Sequence, residues 1–299
     1  MPFFSVVIPT YNQCNFLDKA IKSVSKQTFK DFEIIIIDNF SKDNTKKLVK
    51  SFNNKKIIYK KFLNNGVIGA SRNLGIKMSK GSWIAFLDSD DSWNKNKLKV
   101  VYKEIIKNKE YDVFCSNEVI INTKNKEKKI WRYGPYKKNF YNFLLSNGNC
   151  LSTSATVVKK KILKTNKIKF SEKKNIVTAE DYDFFLKIAS YGYRFKFLKN
   201  ILGKHLMHSK SMSGNFELHR NSVNLVISKH TNLIYKKSVF KKFFLIRNKF
   251  IIYALDLRYN LNIKKNYFKS LYILIFLIIF YPDKTLKFIF KKLKYKYLR

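Results

Sequence analysis

Residues 83–93 read WIAFLDSDDSW: an unbroken apolar run, Trp83–Leu87, and then Asp88, Asp90 and Asp91 within four positions. A short apolar run closed by polar residues is how a strand buried on both faces reads. Three carboxylates this close repel one another unless positive charge lies among them. The chain as a whole is poor in acid, with 61 Lys and Arg against 20 Asp and Glu. A divalent cation would answer the repulsion, because Mg²⁺ or Mn²⁺ needs only one or two protein carboxylates when phosphate oxygens and water complete the shell. Alone, Asp-Ser-Asp-Asp also fits a solvent-facing turn or a helix cap.

Working outward, the same kind of run recurs. Ser5–Ile8, Glu33–Ile37, Lys56–Tyr59 and Trp83–Leu87 alternate with segments of helical period, in which Leu17, Ala20, Ile21 and Val24 share one face and Leu48, Val49 and Phe52 another. Such alternation predicts an α/β fold with a Rossmann-like, mostly parallel central sheet flanked by helices. Sheets of this kind bind ligands at the carboxyl ends of their strands. Asp38 and Asp88 both fall at such ends. Beyond Trp93 the pattern predicts a helix carrying Leu98, Val101 and Ile105, a strand at Tyr111–Cys115, a lysine-rich hairpin-like region, a strand at Ser154–Val158 and a helix opening at Glu180-Asp181 and closing near Gly192. After about Asn215 the pattern is helical. Two units are expected, 1–215 and 216–299, with a soft boundary around 215–235.

The composition narrows the function. At 299 residues and 45% apolar content the chain buries a core and is not disordered. Cys14, Cys115 and Cys150 lie far apart without a CxxC pair, so neither a disulfide framework nor a cysteine zinc site is expected. The first apolar run meets Pro9 too early for a secretory signal, and a cytoplasmic location is expected. A net charge of +41 suits a polyanionic partner, nucleic acid or an anionic membrane, or else reflects lysine spread over solvated faces. The last 64 residues favour the membrane, with 17 basic and 2 acidic residues from Lys236 to Arg299. Leu271–Tyr281 is continuously apolar but as a helix rises only about 16 Å against about 30 Å of hydrocarbon, so it does not span. It either packs on the core or lies in the interface. Past Pro282, apolar and lysine residues fall on opposite helical faces, and residues 283–299 are predicted to lie in a membrane interface.

Six stretches, in order, tie these features together: VVIPTYN at 6–12, QTFKDFEIIIIDNFSKDNT at 27–45, GASRNLGI at 69–76, WIAFLDSDD at 83–91, AEDYDFFLKIA at 179–189 and HSKSMS at 208–213. In these the chain resembles the inverting family 2 glycosyltransferases, which have the glycosyltransferase A fold. The resemblance covers about residues 1–213. Neither GxGxxG nor GxxxxGK[ST] occurs, against a dinucleotide or P-loop site.

The resemblance implies a nucleotide-sugar donor, with a UDP-sugar the first expectation, and a saccharide or lipid-linked glycan acceptor. It implies that Pro9, Thr10, Tyr11 and Asn12 line the nucleoside pocket with Asp38 opposite, that Asp88 and Ser89 lie near the ribose, and that Arg72 faces the nucleotide or diphosphate. Asp90, Asp91 and His208 would hold Mg²⁺ or Mn²⁺, and His205 is a weaker candidate. Glu180-Asp181 matches the family's Glu-Asp pair, with Asp181 the catalytic base; Asp183 is expected to be structural. Asn39 departs from the pattern, which often has a second acid there, and this bears on base identity. Trp93 and Asn147-Gly148-Asn149 either shape the acceptor site or serve as a core anchor and a turn. Two other classes compete: a metal-dependent nucleotidyltransferase, which leaves Glu180-Asp181 unexplained, and a basic nucleic-acid-binding protein, for which charge is the only support. Nucleic acid is not expected as a partner.

Overall fold

The computed structural model describes residues 1–208, 215–234, 236 and 241–286. Among the described residues nine strands form one sheet: β1 (Phe4–Thr10), β2 (Phe32–Asp38), β3 (Ile57–Lys61), β4 (Trp83–Phe86), β5 (Ser92–Trp93), β6 (Val113–Asn122), β7 (Lys128–Trp131), β8 (Thr156–Lys159) and β9 (Phe195–Met207). Their order is β3-β2-β1-β4-β8-β6-β9-β5, with β7 paired to β6. The first four run parallel, as their apolar runs predict. From β8 onward the sheet is mixed, since β8 lies antiparallel to both β4 and β6.

Helices cover both faces. On one, α1 (Cys14–Ser25) buries Leu17, Ala20, Ile21 and Val24, the face read from their spacing. They share a core with Phe4, Val6, Ile8, Ile34 and Ile36 of the sheet and with Leu98 and Val101 of α4 (Lys97–Lys107). The short α2 (Thr45–Ser51) follows β2. On the other face α3 (Ile68–Met78) lies flush on β1, for a Cβ at Gly75 would meet Val7 Cγ1 at 2.3 Å. There too α5 (Phe140–Asn147), α6 (Lys160–Thr165) and α7 (Glu180–Ser190) build a core of Phe86, Leu144, Ile162, Phe170, Phe184 and Phe185. The rings of Phe170 and Phe184 stack at 3.9 Å.

The C-terminal part is helical: α8 (Phe216–Ile234), α9 (Lys241–Asn248), α10 (Phe250–Tyr259), a π-helical turn at Asn260–Lys264 and α11 (Tyr267–Phe280). Val223, Val226 and Ile227 of α8 belong to the same core as α7, while Phe250, Leu257, Ile273 and Leu277 form a separate small cluster. Asp183, buried on α7, fastens α8 by an ion pair to Lys229 (2.5 Å) and a hydrogen bond to His230 Nε2 (3.0 Å), with Lys187 at 2.7 Å. Among the described residues no helix is long and apolar enough to cross a membrane. The expected interfacial helix over 283–299 falls mostly outside the described residues.

Candidate active site

Because β1 to β4 are parallel, the loops after them meet at one edge of the sheet. Pro9 and Thr10 are the last residues of β1, with Thr10 in register with Asp38. Tyr11 follows, exposed. Asn12 turns the chain in the left-handed region at φ +50°, which Asn tolerates better than most residues. It ties the first loop to the second: its N–H donates to Ser41 Oγ (2.8 Å), and its Oδ1 accepts from the Lys42 N–H (2.8 Å). Asp38 is fully buried and accepts from the Ser41 N–H (3.0 Å) and hydroxyl (2.5 Å) and from the Tyr59 hydroxyl. Burial first, and then Asp38, hold the Tyr59 phenol above its ordinary range. Asn39 Oδ1 accepts from the Asn64 N–H (2.9 Å). An acid could accept that bond equally, so the amide in its place adds a donor.

Arg72 lies on α3; the turn before that helix contains Gly66, at φ +79°. Its guanidinium is buried between two carboxylates, with Nη1 on Glu180 Oε1 at 2.6 Å and Nη2 on Asp88 Oδ1 at 2.7 Å. The group sits 5.3 Å from the centre of the Phe170 ring. Burial pushes Glu180 up to about 7 against the pull of Arg72. Burial works against the Arg72 charge, and Asp88 with Glu180 outweighs it.

The four residues after Leu87 diverge. Asp88 takes Arg72, and its N–H donates to Ser154 Oγ (3.0 Å). The Ser154 carbonyl in turn accepts from Trp93 Nε1 (2.8 Å) and from the buried Lys97 Nζ (3.0 Å), which makes Trp93 a core anchor. The Ser89 hydroxyl donates to Gln13 Oε1. Asp90 Oδ2 is 3.0 Å from His208 Nε2, whose ring stacks on Phe16 at 4.7 Å. Asp91 sits apart from that pair. Its carboxylate is buried, accepts from the Leu206 N–H (3.0 Å) and faces His205 Nδ1 at 3.2 Å. Desolvation lifts Asp91 to about 7, and the contact lifts His205 to about 9 in spite of burial. Both Asp91 oxygens face β9, through Leu206 and His205, so the group anchors the strand that leads to His208.

Asp181 opens α7 beside Glu180 but points elsewhere. Its Oδ1 accepts from the Tyr182 N–H (2.7 Å) and its Oδ2 from Asn149 Nδ2 (3.0 Å), in the loop marked by Asn147-Gly148-Asn149. Burial raises its pKa, and Arg72 and His219 pull against the rise. His219, on α8, has Nδ1 3.0 Å from the Thr178 carbonyl. Only an N–H can serve a carbonyl, so Nδ1 carries a proton.

As a metal site, Asp90 and His208 offer one carboxylate and one imidazole, which suits Mn²⁺ or Mg²⁺ if a diphosphate supplies further oxygens. Among the described residues no three His, Cys, Asp or Glu side chains gather to hold a metal by themselves. The pair thus fits a cation shared with a ligand and not a closed structural site.

Comparison with known proteins bears on the same region. The sequence profile of the family described as Glycosyl transferase family 2 matches residues 5–166, more than half of the chain. The chain belongs to glycosyltransferase family 2. An uncharacterized glycosyltransferase of Methanocaldococcus jannaschii is 31% identical over 208 residues, 68% of this chain and 70% of that one. The Escherichia coli UDP-Glc:alpha-D-GlcNAc-diphosphoundecaprenol beta-1,3-glucosyltransferase WfgD is 35% identical over 188 residues, 62% of this chain and 68% of its own. Among solved structures, S. aureus TarS with UDP-GlcNAc superposes at TM-score 0.63 and 20% identity, covering 95% of this chain and 83% of that one. A Pyrobaculum calidifontis mannosyltransferase with GDP-Man and Mn²⁺ gives TM-score 0.58 at 14% identity, covering 98% and 80%. These likenesses show the glycosyltransferase A fold. Family membership makes the chain a glycosyltransferase and sets aside the nucleotidyltransferase and nucleic-acid-binding readings.

Sequence reasoning missed several residues that hold this family 2 site in shape. Gln13, Tyr59 and Ser154 bond the expected site residues, and no pattern in one sequence marks them. His219 was also missed; only its place three residues into a predicted helical region hinted at it.

Proposed function

We propose that the protein transfers one sugar, with inversion, from a UDP-sugar to a hydroxyl of a lipid-linked saccharide, a surface-glycan precursor, at the inner face of the cytoplasmic membrane. Residues 1–215 would hold donor and acceptor, and 216–299 would attach the enzyme to the membrane. The observation that supports this most is a group of charges within electrostatic reach of one another: Glu180 and Asp88 share Arg72, Asp181 feels Arg72 and Asp88, and Asp90, which meets His208, feels Asp88. A base and a diphosphate-facing pair are thereby held in fixed relation. The names of the relatives agree, since WfgD uses UDP-Glc and a diphosphoundecaprenol-linked acceptor.

In this reading Asp38, Asn39 and the 9–12 loop hold the nucleoside. Asp181 accepts the proton of the acceptor hydroxyl as its oxygen bonds to the anomeric carbon, and the bond from that carbon to the diphosphate breaks on the opposite face. Asn149 keeps the carboxylate turned toward the acceptor side. Asp90 and His208 would hold the Mg²⁺ or Mn²⁺ ion, which when bound offsets negative charge on the departing diphosphate. Arg72 keeps Glu180 and Asp88 from repelling that charge.

The test is a UDP-sugar panel with lipid-linked acceptors and Mn²⁺, comparing wild type with Asp181→Asn. The variant should lose roughly 10²–10⁴-fold in transfer while binding donor as before. Undiminished transfer by the variant would refute the role of Asp181, and wild-type binding to no UDP-sugar would refute the donor.

A further inference from the structure

Helix α11 is apolar on the wrong side for a solvated helix. Its inward face carries Ser270, Ile273 and Leu277, all buried. Phe268, Leu271, Tyr272, Ile275, Ile278 and Ile279 stand outward, each between 49% and 87% exposed. At about 100° per residue these six positions fall within a stripe roughly 120° wide. No charged residue interrupts the stripe, and the one lysine of the helix, Lys269, lies in its first turn. A continuous exposed apolar face of this length marks an interaction surface.

Charge decides the partner. Lys264, Lys265 and Lys269 are exposed at the root of the stripe. Lys264 and Lys269 also line a cavity of about 510 Å³, where Arg220 is paired with Asp256 and Glu217 is the other acid, so the lysines are the cations there without an ion pair to an acid among the described residues. A second copy of the chain would bring two surfaces of the same sign together, which disfavours association. An anionic bilayer pairs the lysines with phosphate and the stripe with acyl chain. Fourteen residues rise about 21 Å, too little to cross the hydrocarbon.

We propose that the outward face of α11 docks the protein on an anionic phospholipid membrane, the helix lying flat at the boundary of headgroups and acyl chains. The inference rests on the membrane attachment proposed above and assigns it to one helix face.

The full chain is sedimented with vesicles of phosphatidylcholine plus phosphatidylglycerol and, separately, of phosphatidylcholine alone. Binding should favour the anionic vesicles and weaken with salt. Ile275→Glu with Ile279→Glu should lower it roughly tenfold or more, without changing the unfolding midpoint or binding of UDP-sugar in solution. Lys264→Glu with Lys265→Glu should lower binding to the anionic vesicles only. Unchanged vesicle binding by the isoleucine variant would overturn the proposal. So would a wild-type dimer, seen by analytical ultracentrifugation without lipid, that the isoleucine variant breaks while vesicle binding persists, for the face would then meet a second copy. Loss of binding on removing 287–299, with none in the isoleucine variant, would assign docking to the chain end instead. Donor binding is read independently, so failure of the docking surface and failure of the transferase reading give different results.

Discussion

Replacing Arg72 by Met removes a buried cation and leaves its two carboxylates in unequal positions. Asp88 is over a quarter exposed and can hydrate, whereas Glu180 is buried and its Oε2 already lacks a hydrogen-bond partner. Breaking a buried pair costs about 3–5 kcal/mol when the stranded charge stays ionised. Glu180 can take a proton instead, and with a folded value of about 7 this limits the pH-dependent part at pH 8 to about 1.4 kcal/mol. The cost depends on pH with a definite sign. Burial raises the folded-state pKa of Glu180 to about 7 even with Arg72 present, above the unfolded value of about 4.3. A carboxyl raised in this way binds its proton more tightly when folded, so stability is highest below the unfolded value and falls as pH climbs through that window. Without Arg72 the pKa rises further, and the window extends upward. The deficit of Arg72→Met should therefore be largest near pH 8 and shrink toward pH 5, where a neutral Glu180 needs no cation. Urea unfolding of both proteins at pH 5, 6.5 and 8 measures it. A deficit below about 1 kcal/mol, or one equal at all three pH values, would refute the reading that Arg72 offsets the burial of the Glu180 carboxylate.

Asp183→Asn should loosen α8 from α7 and cost about 3 kcal/mol, since Lys229 and Lys187 lose their shared carboxylate. The His230 bond and the two lysines hold the Asp183 pKa well below its ordinary range despite burial. Its contribution is thus complete above about pH 4 and is lost only as pH falls through that lowered value; thermal melts at pH 5 and pH 8 should show the same deficit. Gly75→Ala should cost about 1–3 kcal/mol, because its Cβ would meet Val7 Cγ1 at 2.3 Å; a neutral result in urea unfolding would mean that α3 can shift from β1. His208→Ala should weaken Mn²⁺ binding by about tenfold or more in the presence of UDP, read by the electron paramagnetic resonance of free Mn²⁺; unaltered binding would remove His208 from the ligand set.

The first half of the sheet was legible because parallel strands buried on both faces leave uninterrupted apolar runs, as in VVIP and EIIII. The acids at its edge were legible because carboxylates are scarce in this chain. Strand β9 was not read from the sequence. Its stretch FKFLKNILGKHLM interleaves lysine with apolar residues, and its pairing with β6 slips in register at Cys115, Asn117 and Glu118, so no period of two survives. Lys97 reads as one more surface lysine. It is fully buried, lies 4.8 Å from the Trp93 ring and bonds the Ser154 carbonyl, partners 4 and 57 residues away that only the fold brings to it.

The unread strand answers the repulsion among Asp88, Asp90 and Asp91. Each acid meets a different basic group from a distant part of the chain: Arg72 of α3 for Asp88, His208 just past β9 for Asp90, and His205 of β9 for Asp91. The cluster is therefore tolerable without a cation; Asp91 and Asp90 each face a histidine, and the pair proposed for the metal is Asp90 with His208. A cation held there must replace a hydrogen bond between Asp90 and His208 with two coordinate bonds, and an imidazole can coordinate only when the nitrogen concerned is unprotonated. His208→Asn, whose side-chain oxygen can stand in for the imidazole nitrogen, should therefore keep more cation affinity than His208→Ala. Equal affinity in the two variants would remove His208 from the ligand set.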